Sequence, residues 1–99
     1  MWYKAAKVSD IKDGAAQVVP IDGKTIALFN LKGKFFALDN VCPHRGGPLA
    51  QGYVDGTIVT CPLHAWEFDV TNGECKTMHG PTQKTYPIKI EKDEVLIEI

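Results

Sequence analysis

The sequence predicts an all-β fold, an antiparallel β-sandwich or barrel, from three observations. Short runs rich in Val, Ile, Phe, Tyr and Thr recur along its 99 residues. Turn dipeptides such as Asp22-Gly23 and Asn72-Gly73 separate these runs, and Asp-Gly and Asn-Gly favour tight hairpin turns because both residues tolerate positive φ. No segment shows sustained helical periodicity with caps. Many short strands at this spacing are typical of a sandwich or barrel.

Nine strands are predicted in chain order, and the last two show the clearest alternation. Tyr86, Ile88 and Ile90 face one way while Lys89 and Glu91 face the other, the period of a half-buried strand. The stretch 10–16 is expected to form at most one helical turn. With no internal repeat, low-complexity tract or linker, residues 1–99 are expected to form a single domain. The predicted strands are Trp2–Lys7, Ala16–Pro20, Lys24–Leu31, Lys34–Asp39, Thr57–Thr60, Glu67–Asp69, Glu74–Lys76, Thr85–Glu91 and Glu94–Ile99.

Charge and hydropathy exclude several classes of partner. The formal net charge of −1 gives no reason to expect nucleic acid or an anionic membrane. The longest apolar stretches, such as Ile26–Phe29, are far too short to span a bilayer. The N-terminus lacks the layout of a secretory leader, so we expect a soluble, cytoplasmic protein. Three cysteines without a leader then favour metal chemistry or free thiols over a disulfide scaffold.

Two stretches break the strand rhythm and are dense in Pro, Gly, Cys and His. They cover about residues 40–52 and 61–66, and we interpret them as two loops at one end of the β-structure. A third loop, at about residues 78–82, contains His79, Gly80 and Pro81. Function tends to lie on loops that a rigid scaffold presents, so these three loops are the candidate site.

The chemistry of the candidate site lies in two Cys/His pairs, Cys42-x-His44 and Cys61-x-x-His64. Each pair supplies one thiolate and one imidazole, a combination that suits iron or zinc. If the two loops face each other, the four ligands meet at one point. A structural zinc site uses the same set of two cysteines and two histidines, and it stays open as an alternative. The one-residue spacing between Cys42 and His44 is tight for two ligands of a single zinc ion.

The paired motif resembles that of Rieske proteins. In that family two cysteines bind one iron of a [2Fe–2S] cluster and two histidines bind the other. The resemblance therefore implies one cluster per chain, with Cys42 and Cys61 on the inner iron and His44 and His64 on the outer iron near the surface. It also implies the Rieske-type β-sandwich, with a cluster-binding subdomain of two loops at one end and Gly80-Pro81 in a shielding proline loop. The resemblance extends to the flanking residues Pro43, Gly46, Gly47, Pro48, Leu49, Gly52, Pro62, Trp66, Phe68 and Gly73.

The chain departs from the respiratory and photosynthetic members of that family at four positions. Those proteins carry an extra cysteine in each loop, joined by a disulfide, where this chain has Gly47 and Leu63. They also place hydroxyl side chains where this chain has Trp66 and Phe68. Donors aimed at cluster sulfur stabilise the reduced state and raise the potential. Without them we expect a low potential, roughly −150 mV.

A low potential predicts a one-electron carrier between a flavoprotein reductase and a Rieske oxygenase. Such a carrier is not itself an enzyme. A catalytic oxygenase subunit also needs a mononuclear iron held by two histidines and a carboxylate, and only His79 of the three histidines remains once the cluster is ligated. The alternative is the small subunit of an NAD(P)H-dependent nitrite reductase, with the large subunit as acceptor. The local motifs do not separate these two functions.

Other residues near the predicted loops have smaller expected roles. We expect His79 to be merely exposed and Cys75 to be a buried or half-buried free thiol that behaves as a small hydrophobe. We expect Arg45 to pair with an acidic group on the redox partner, to pair with Glu67 or Asp69, or to be solvated. An apolar rim suited to transient docking is expected from Pro43, Pro48, Leu49, Leu63 and Pro81.

Overall fold

The computed structural model describes residues 1–42, 47–63, 65–77 and 82–99, and in these ranges the chain is almost entirely β-structure. The only helical segments there are two 3-10 turns, Val8–Asp10 and Leu49–Gln51. None of the described helices is long and apolar enough to cross a membrane. The predicted all-β class is therefore confirmed. The ten strands are β1 (Trp2–Lys7), β2 (Ala16–Ile21), β3 (Lys24–Leu31), β4 (Lys34–Asp39), β5 (Tyr53–Asp55), β6 (Ile58–Thr60), β7 (Glu67–Asp69), β8 (Thr85–Tyr86), β9 (Ile88–Glu91) and β10 (Glu94–Glu98).

The strands form three antiparallel sheets, in the orders β1-β10-β9, β2-β3-β4-β8 and β5-β6-β7. Two of the predicted turns close the hairpins of the four-stranded sheet. Asp22 and Gly23, with φ of 49° and 78°, join β2 to β3, and Lys32 and Gly33, with φ of 54° and 86°, join β3 to β4. Two successive residues with positive φ match the right-handed twist of the flanking strands.

Strand β3 lies in the middle of the molecule, which explains its uninterrupted apolar run. Ile26 and Leu28 pack in one core, with residues from β1 and β10. Ala27 and Phe29, on the other face, pack in a second core with residues from β6 and β7. The four-stranded sheet is thus covered on both sides. Because the second core lies under the two cysteine loops, it forms the floor of the candidate site.

Two of the predicted strands need correction, and one strand was not predicted. Strand β5 was missed. The predicted strand Glu74–Lys76 is wrong, because only isolated bridges form there, from Glu74 to Thr82 and from Cys75 to Phe68. The predicted strand Thr85–Glu91 divides at Pro87, and its halves β8 and β9 pair with β4 and β10 in different sheets. Proline has no N–H to donate to a ladder, which favours a break at that position. The turn expected in 10–16 lies instead at Val8–Asp10.

Candidate metal centre

The two cysteines begin loops of the same construction at the same end of the fold. Cys42 follows β4 by three residues, and its N–H donates to the carbonyl of Gly47 at 2.9 Å. Cys61 directly follows β6, and its N–H donates to the carbonyl of Trp66 at 2.7 Å. In both loops the N–H of the cysteine donates to the carbonyl of the residue five positions later. Each loop therefore presents its cysteine in an equivalent way.

The two thiols lie side by side and are shielded from water. Cys42 is 1% exposed and Cys61 is 2% exposed, and neither forms a disulfide. Burial raises the pKa of the Cys61 thiol, the adjacent Cys42 sulfur raises this pKa further, and a hydrogen bond with the Leu63 backbone lowers it. The buried Cys61 thiol therefore favours its neutral form unless a metal ion stabilises the thiolate.

Gly47 brings the first loop onto the second cysteine. A Cβ atom at Gly47 would lie 2.7 Å from Cys61 Sγ and 3.2 Å from the Cβ of Leu63. Gly47 and Leu63, the positions expected to match the bracing disulfide of respiratory and photosynthetic Rieske proteins, therefore face each other. In this chain the space between the loops holds the Leu63 side chain and no sulfur bridge.

The described donors fit an iron–sulfur centre. Thiolates are the ligands that such clusters use, and two free, buried and adjacent cysteines supply half of the expected set. The other two expected ligands, His44 and His64, lie outside the described residues, as do Arg45 and His79. Within the ranges that the structure describes, no three His, Cys, Asp or Glu side chains form a metal-binding group. When bound, a [2Fe–2S] cluster accepts and releases one electron at a time.

Two buried polar residues that sequence reasoning missed hold the first loop in place. The Asn40 side-chain oxygen accepts from the N–H of Ala50 at 2.9 Å, and the Asn40 backbone carbonyl accepts from the N–H of Leu49 at 2.8 Å. The side-chain amide of Gln83 donates to the carbonyls of Asp39 and Val41, each at 2.7 Å. No signal in the sequence pointed to Gln83, because its acceptors lie more than forty residues away along the chain.

The expected apolar rim is only partly correct. Leu63 is 45% exposed, as expected, but Leu49 is fully buried in the second core. Val41, which was not expected in the rim, is 51% exposed. Pro48 is half-buried. The two other rim residues, Pro43 and Pro81, lie outside the described residues.

Cys75 behaves as the sequence predicted. It is 7% exposed, has a free thiol and belongs to the second core. Its backbone forms an isolated β-bridge with Phe68. The two acidic residues considered as partners of Arg45 differ in exposure, since Glu67 is exposed and Asp69 is half-buried.

Comparison with known proteins gives one family and several similar proteins. The family described as Rieske [2Fe-2S] domain matches residues 1–90. The ferredoxin component of the naphthalene 1,2-dioxygenase system of Pseudomonas putida is 41% identical over 101 residues, which cover 99% of this chain and 95% of that protein. The solved structure of the Sphingomonas yanoikuyae B1 ferredoxin is 35% identical, with a TM-score of 0.92 and coverage of 100% of this chain and 99% of that chain. A structure described as a nitrite reductase (NADPH) small subunit has a TM-score of 0.88 at 20% identity, covering 100% of this chain and 99% of that chain, and at that identity it shows the fold alone.

Proposed function

Because this chain belongs to the Rieske [2Fe–2S] domain family, we propose that it is the ferredoxin of an oxygenase system, which takes electrons from a flavoprotein reductase and passes them to a terminal Rieske oxygenase. The [2Fe–2S] cluster is the cofactor of this protein. The protein carries electrons and is not a catalytic subunit. We place it in the cytoplasm and treat residues 1–99 as one domain, with cluster loops at about 40–52 and 61–66 and a proline loop at about 78–82.

The proposed ligands are Cys42, His44, Cys61 and His64. The observation that carries this proposal is the matched pair of loops. In each loop a hydrogen bond joins the N–H of the cysteine to the carbonyl of the residue five positions later. These loops bring two buried, free thiols into contact. A histidine follows each cysteine within three residues, so each loop supplies one ligand of each type. Membership of the Rieske family favours this cluster over the structural zinc site that the sequence left open.

A low reduction potential follows from the side chains around the thiols. Phe68 is fully buried in the second core and Trp66 is half-buried, and neither carries the hydroxyl that would stabilise the reduced state. The backbone of Leu63 supplies a hydrogen bond to the Cys61 side chain. We therefore expect a midpoint of roughly −150 mV, at the low end of the Rieske range, which suits transfer from a flavoprotein to an oxygenase.

The exposed apolar side chains next to the cysteines supply a docking surface. Val41 is 51% exposed and adjoins Cys42, and Leu63 is 45% exposed and lies two residues after Cys61. Electron-transfer partners bind through small, transient interfaces, and two apolar side chains over the cluster loops suit such a contact. The nitrite reductase alternative is not favoured, because the relative at 41% identity is a dioxygenase ferredoxin.

Ligand substitutions test the proposed site. Cys42→Ala and Cys61→Ala should abolish cluster binding, measured as iron and acid-labile sulfide per chain, and Cys75→Ala is the matched control that should retain both. His44→Ala and His64→Ala should lose the Rieske-type EPR signal of the reduced protein, and His79→Ala should keep it. A fully loaded Cys42→Ala or His64→Ala protein would reject the ligand set.

Reconstitution with purified partners tests the proposed role. The purified protein replaces the ferredoxin in the naphthalene dioxygenase system, with NADH, the flavoprotein reductase and the terminal oxygenase present. Product formation that depends on the added chain supports the proposal, provided that Cys61→Ala protein gives none. Transfer only to a nitrite reductase large subunit, or a midpoint several hundred millivolts above the expected value, would contradict it.

A further inference from the structure

Gln83 is one of three buried polar residues in the described part of the chain, with Asn30 and Asn40. It is 5% exposed and lies two residues before β8. A buried amide is retained only where its hydrogen bonds are satisfied, because an unpaired polar group in the interior is costly. The partners of Gln83 therefore indicate what this side chain does.

The side-chain amide of Gln83 bridges two carbonyls on either side of Asn40. Its Nε2 donates to the Asp39 carbonyl at 2.7 Å and to the Val41 carbonyl at 2.7 Å. Asp39 is the last residue of β4, and Val41 immediately precedes Cys42. One side chain thus uses both of its amide hydrogens on the segment that leads from the sheet to the first cysteine.

The backbone of Gln83 is fixed independently of its side chain. Its N–H donates to the Gly73 carbonyl at 2.7 Å, and the neighbouring Lys84 carbonyl accepts from the Asp39 N–H at 2.9 Å. Gly73 has a φ of 78°, and a Cβ there would collide with the Gln83 carbonyl. The Gln83 side chain therefore projects from a rigid position toward residues 39–41.

The segment that Gln83 holds also sets the geometry of the first loop. Asn40 accepts from Leu49 and Ala50 at the far end of the loop, and Cys42 donates to Gly47. Gly47 in turn packs against Cys61 Sγ. Gln83 is thus linked to Cys42 through the Val41 carbonyl that it holds, and Cys42 is linked to the Cys61 sulfur through Gly47.

We propose that Gln83 is a positioning residue for the cluster: by holding the carbonyls of Asp39 and Val41, its side-chain amide keeps Cys42 in place and restrains the first loop against opening. The inference rests on the proposed role of Cys42 as a ligand. It predicts that loss of the amide releases the cluster faster and broadens the range of ligand geometries, while the two sheets that form the first core keep their structure.

The test compares Gln83→Leu with Asn30→Leu. Asn30 is also a buried amide with two hydrogen bonds, from its Nδ2 to the Ile11 carbonyl at 2.7 Å and from the Gly33 N–H to its Oδ1 at 2.9 Å. It lies opposite Phe35, at the end of β4 away from Cys42. Both variants lose two hydrogen bonds of a buried residue, but only Gln83→Leu loses them at the cysteine loop.

Cluster loss is followed as the decay of visible absorbance after addition of an iron chelator, at a temperature where all variants are folded by circular dichroism. We expect loss from Gln83→Leu to be about tenfold faster than from wild type, since two part-buried hydrogen bonds that hold the segment before Cys42 are removed. Loss from Asn30→Leu should stay within about twofold of wild type. The EPR lines of reduced Gln83→Leu protein should be broader, and those of Asn30→Leu unchanged.

Equal rates of cluster loss in the two variants, with EPR lines of wild-type width, would mean that Gln83 stabilises the fold only and would overturn the proposal. If Gln83→Leu does not fold, Gln83→Glu takes its place, because it keeps the side-chain length and lacks the donating amide when ionised. If that variant also fails to fold, the proposal is rejected. Cys42→Ala distinguishes failure of the proposed ligand set from failure of the Gln83 proposal. If Cys42→Ala protein still binds a full cluster, the ligand set is wrong. If it binds none while Gln83→Leu behaves like wild type, only the role of Gln83 is wrong.

Discussion

Gly47 and Cys61 lie so close together that no side chain fits between them: a Cβ atom on Gly47 would be 2.7 Å from the Cys61 sulfur. Gly47 also closes the first loop, by accepting a hydrogen bond from Cys42. The glycine is therefore required by the space between the two cysteine loops.

Gly47→Ala should reduce cluster content. The added methyl group must push the first loop away from Cys61 Sγ and the Leu63 side chain, and a shift of a few tenths of an ångström separates the two thiols. We expect at least half of the iron and sulfide per chain to be lost, with destabilisation of about 1–3 kcal/mol from overpacking. Iron, sulfide and visible absorbance of the purified variant measure the effect.

Gly14→Ala is the control for this prediction. Gly14 has a φ of 80° and open space around it, so alanine there costs about 1–2 kcal/mol of backbone strain and touches no ligand. This variant should lose thermal stability and keep its full cluster. A Gly47→Ala protein with a wild-type cluster content and EPR spectrum would show that the close approach does not constrain the loaded site.

Local signals explain which parts of the fold the sequence could predict. Asp22-Gly23 and Lys32-Gly33 mark their hairpins directly, because glycine favours the positive φ that both turns require. Strand β5 was missed although Asp55-Gly56 marks the turn after it, because its three residues Tyr53–Asp55 are too few to show alternation. The break at Pro87 was not predicted, because the residues of β8 and β9 alternate like a single strand. In the structure the two strands pair in different sheets.

The site was predictable where it depends on residue type and obscure where it depends on long-range contacts. Cys42 and Cys61 stand out as a spaced motif, and the structure brings both together in the second core. The roles of Gln83 and Asn40 depend on partners that only the folded chain brings near. Leu49 was expected on the rim because it lies in a loop, but the 3-10 turn that begins there directs it into the core.

Tyr86 should make stability fall at alkaline pH. Its buried position raises the pKa of the phenol above its usual value, and the neighbouring Asp39 carboxylate raises it further. The pKa of the phenol in the unfolded chain is about 10. At pH values between this pKa and the raised native pKa, the unfolded chain releases a proton that the native chain keeps. The contribution of Tyr86 is therefore complete below about pH 10 and is lost as pH rises through the native pKa.

Urea unfolding of wild-type and Tyr86→Phe protein from pH 8 to pH 11 measures this contribution. At pH 8 the two should differ by less than about 1 kcal/mol, because the hydrogen bond from the phenol to Asp39 is long, 3.5 Å. Above pH 10 the stability of wild type should decline more steeply than that of the variant. Tyr53→Phe, at a side chain 76% exposed, is the matched control and should follow wild type. Parallel curves for all three proteins would contradict the assignment.

The turn between β9 and β10 is strained, and relieving it should stabilise the protein. Lys92 and Asp93 both adopt positive φ, 49° and 65°, a conformation that glycine occupies with least strain. The left-handed region costs a residue with a Cβ about 1–2 kcal/mol, and the greater unfolded-state entropy of glycine offsets about half of that. Asp93→Gly should therefore raise the thermal midpoint by about 2–4 °C.

The hydrogen bond that Asp93 accepts through its backbone carbonyl from Val8, at 2.8 Å, is retained in this variant. The matched control is Gly23→Ala, at a φ of 78° with open space around it, which should lower the midpoint because it introduces the same strain. Both variants should bind a full cluster, since neither turn touches the cysteine loops. A lower midpoint for Asp93→Gly would mean that the carboxylate itself stabilises the turn, and the benefit of removing the left-handed strain would then be smaller than the loss of that contact.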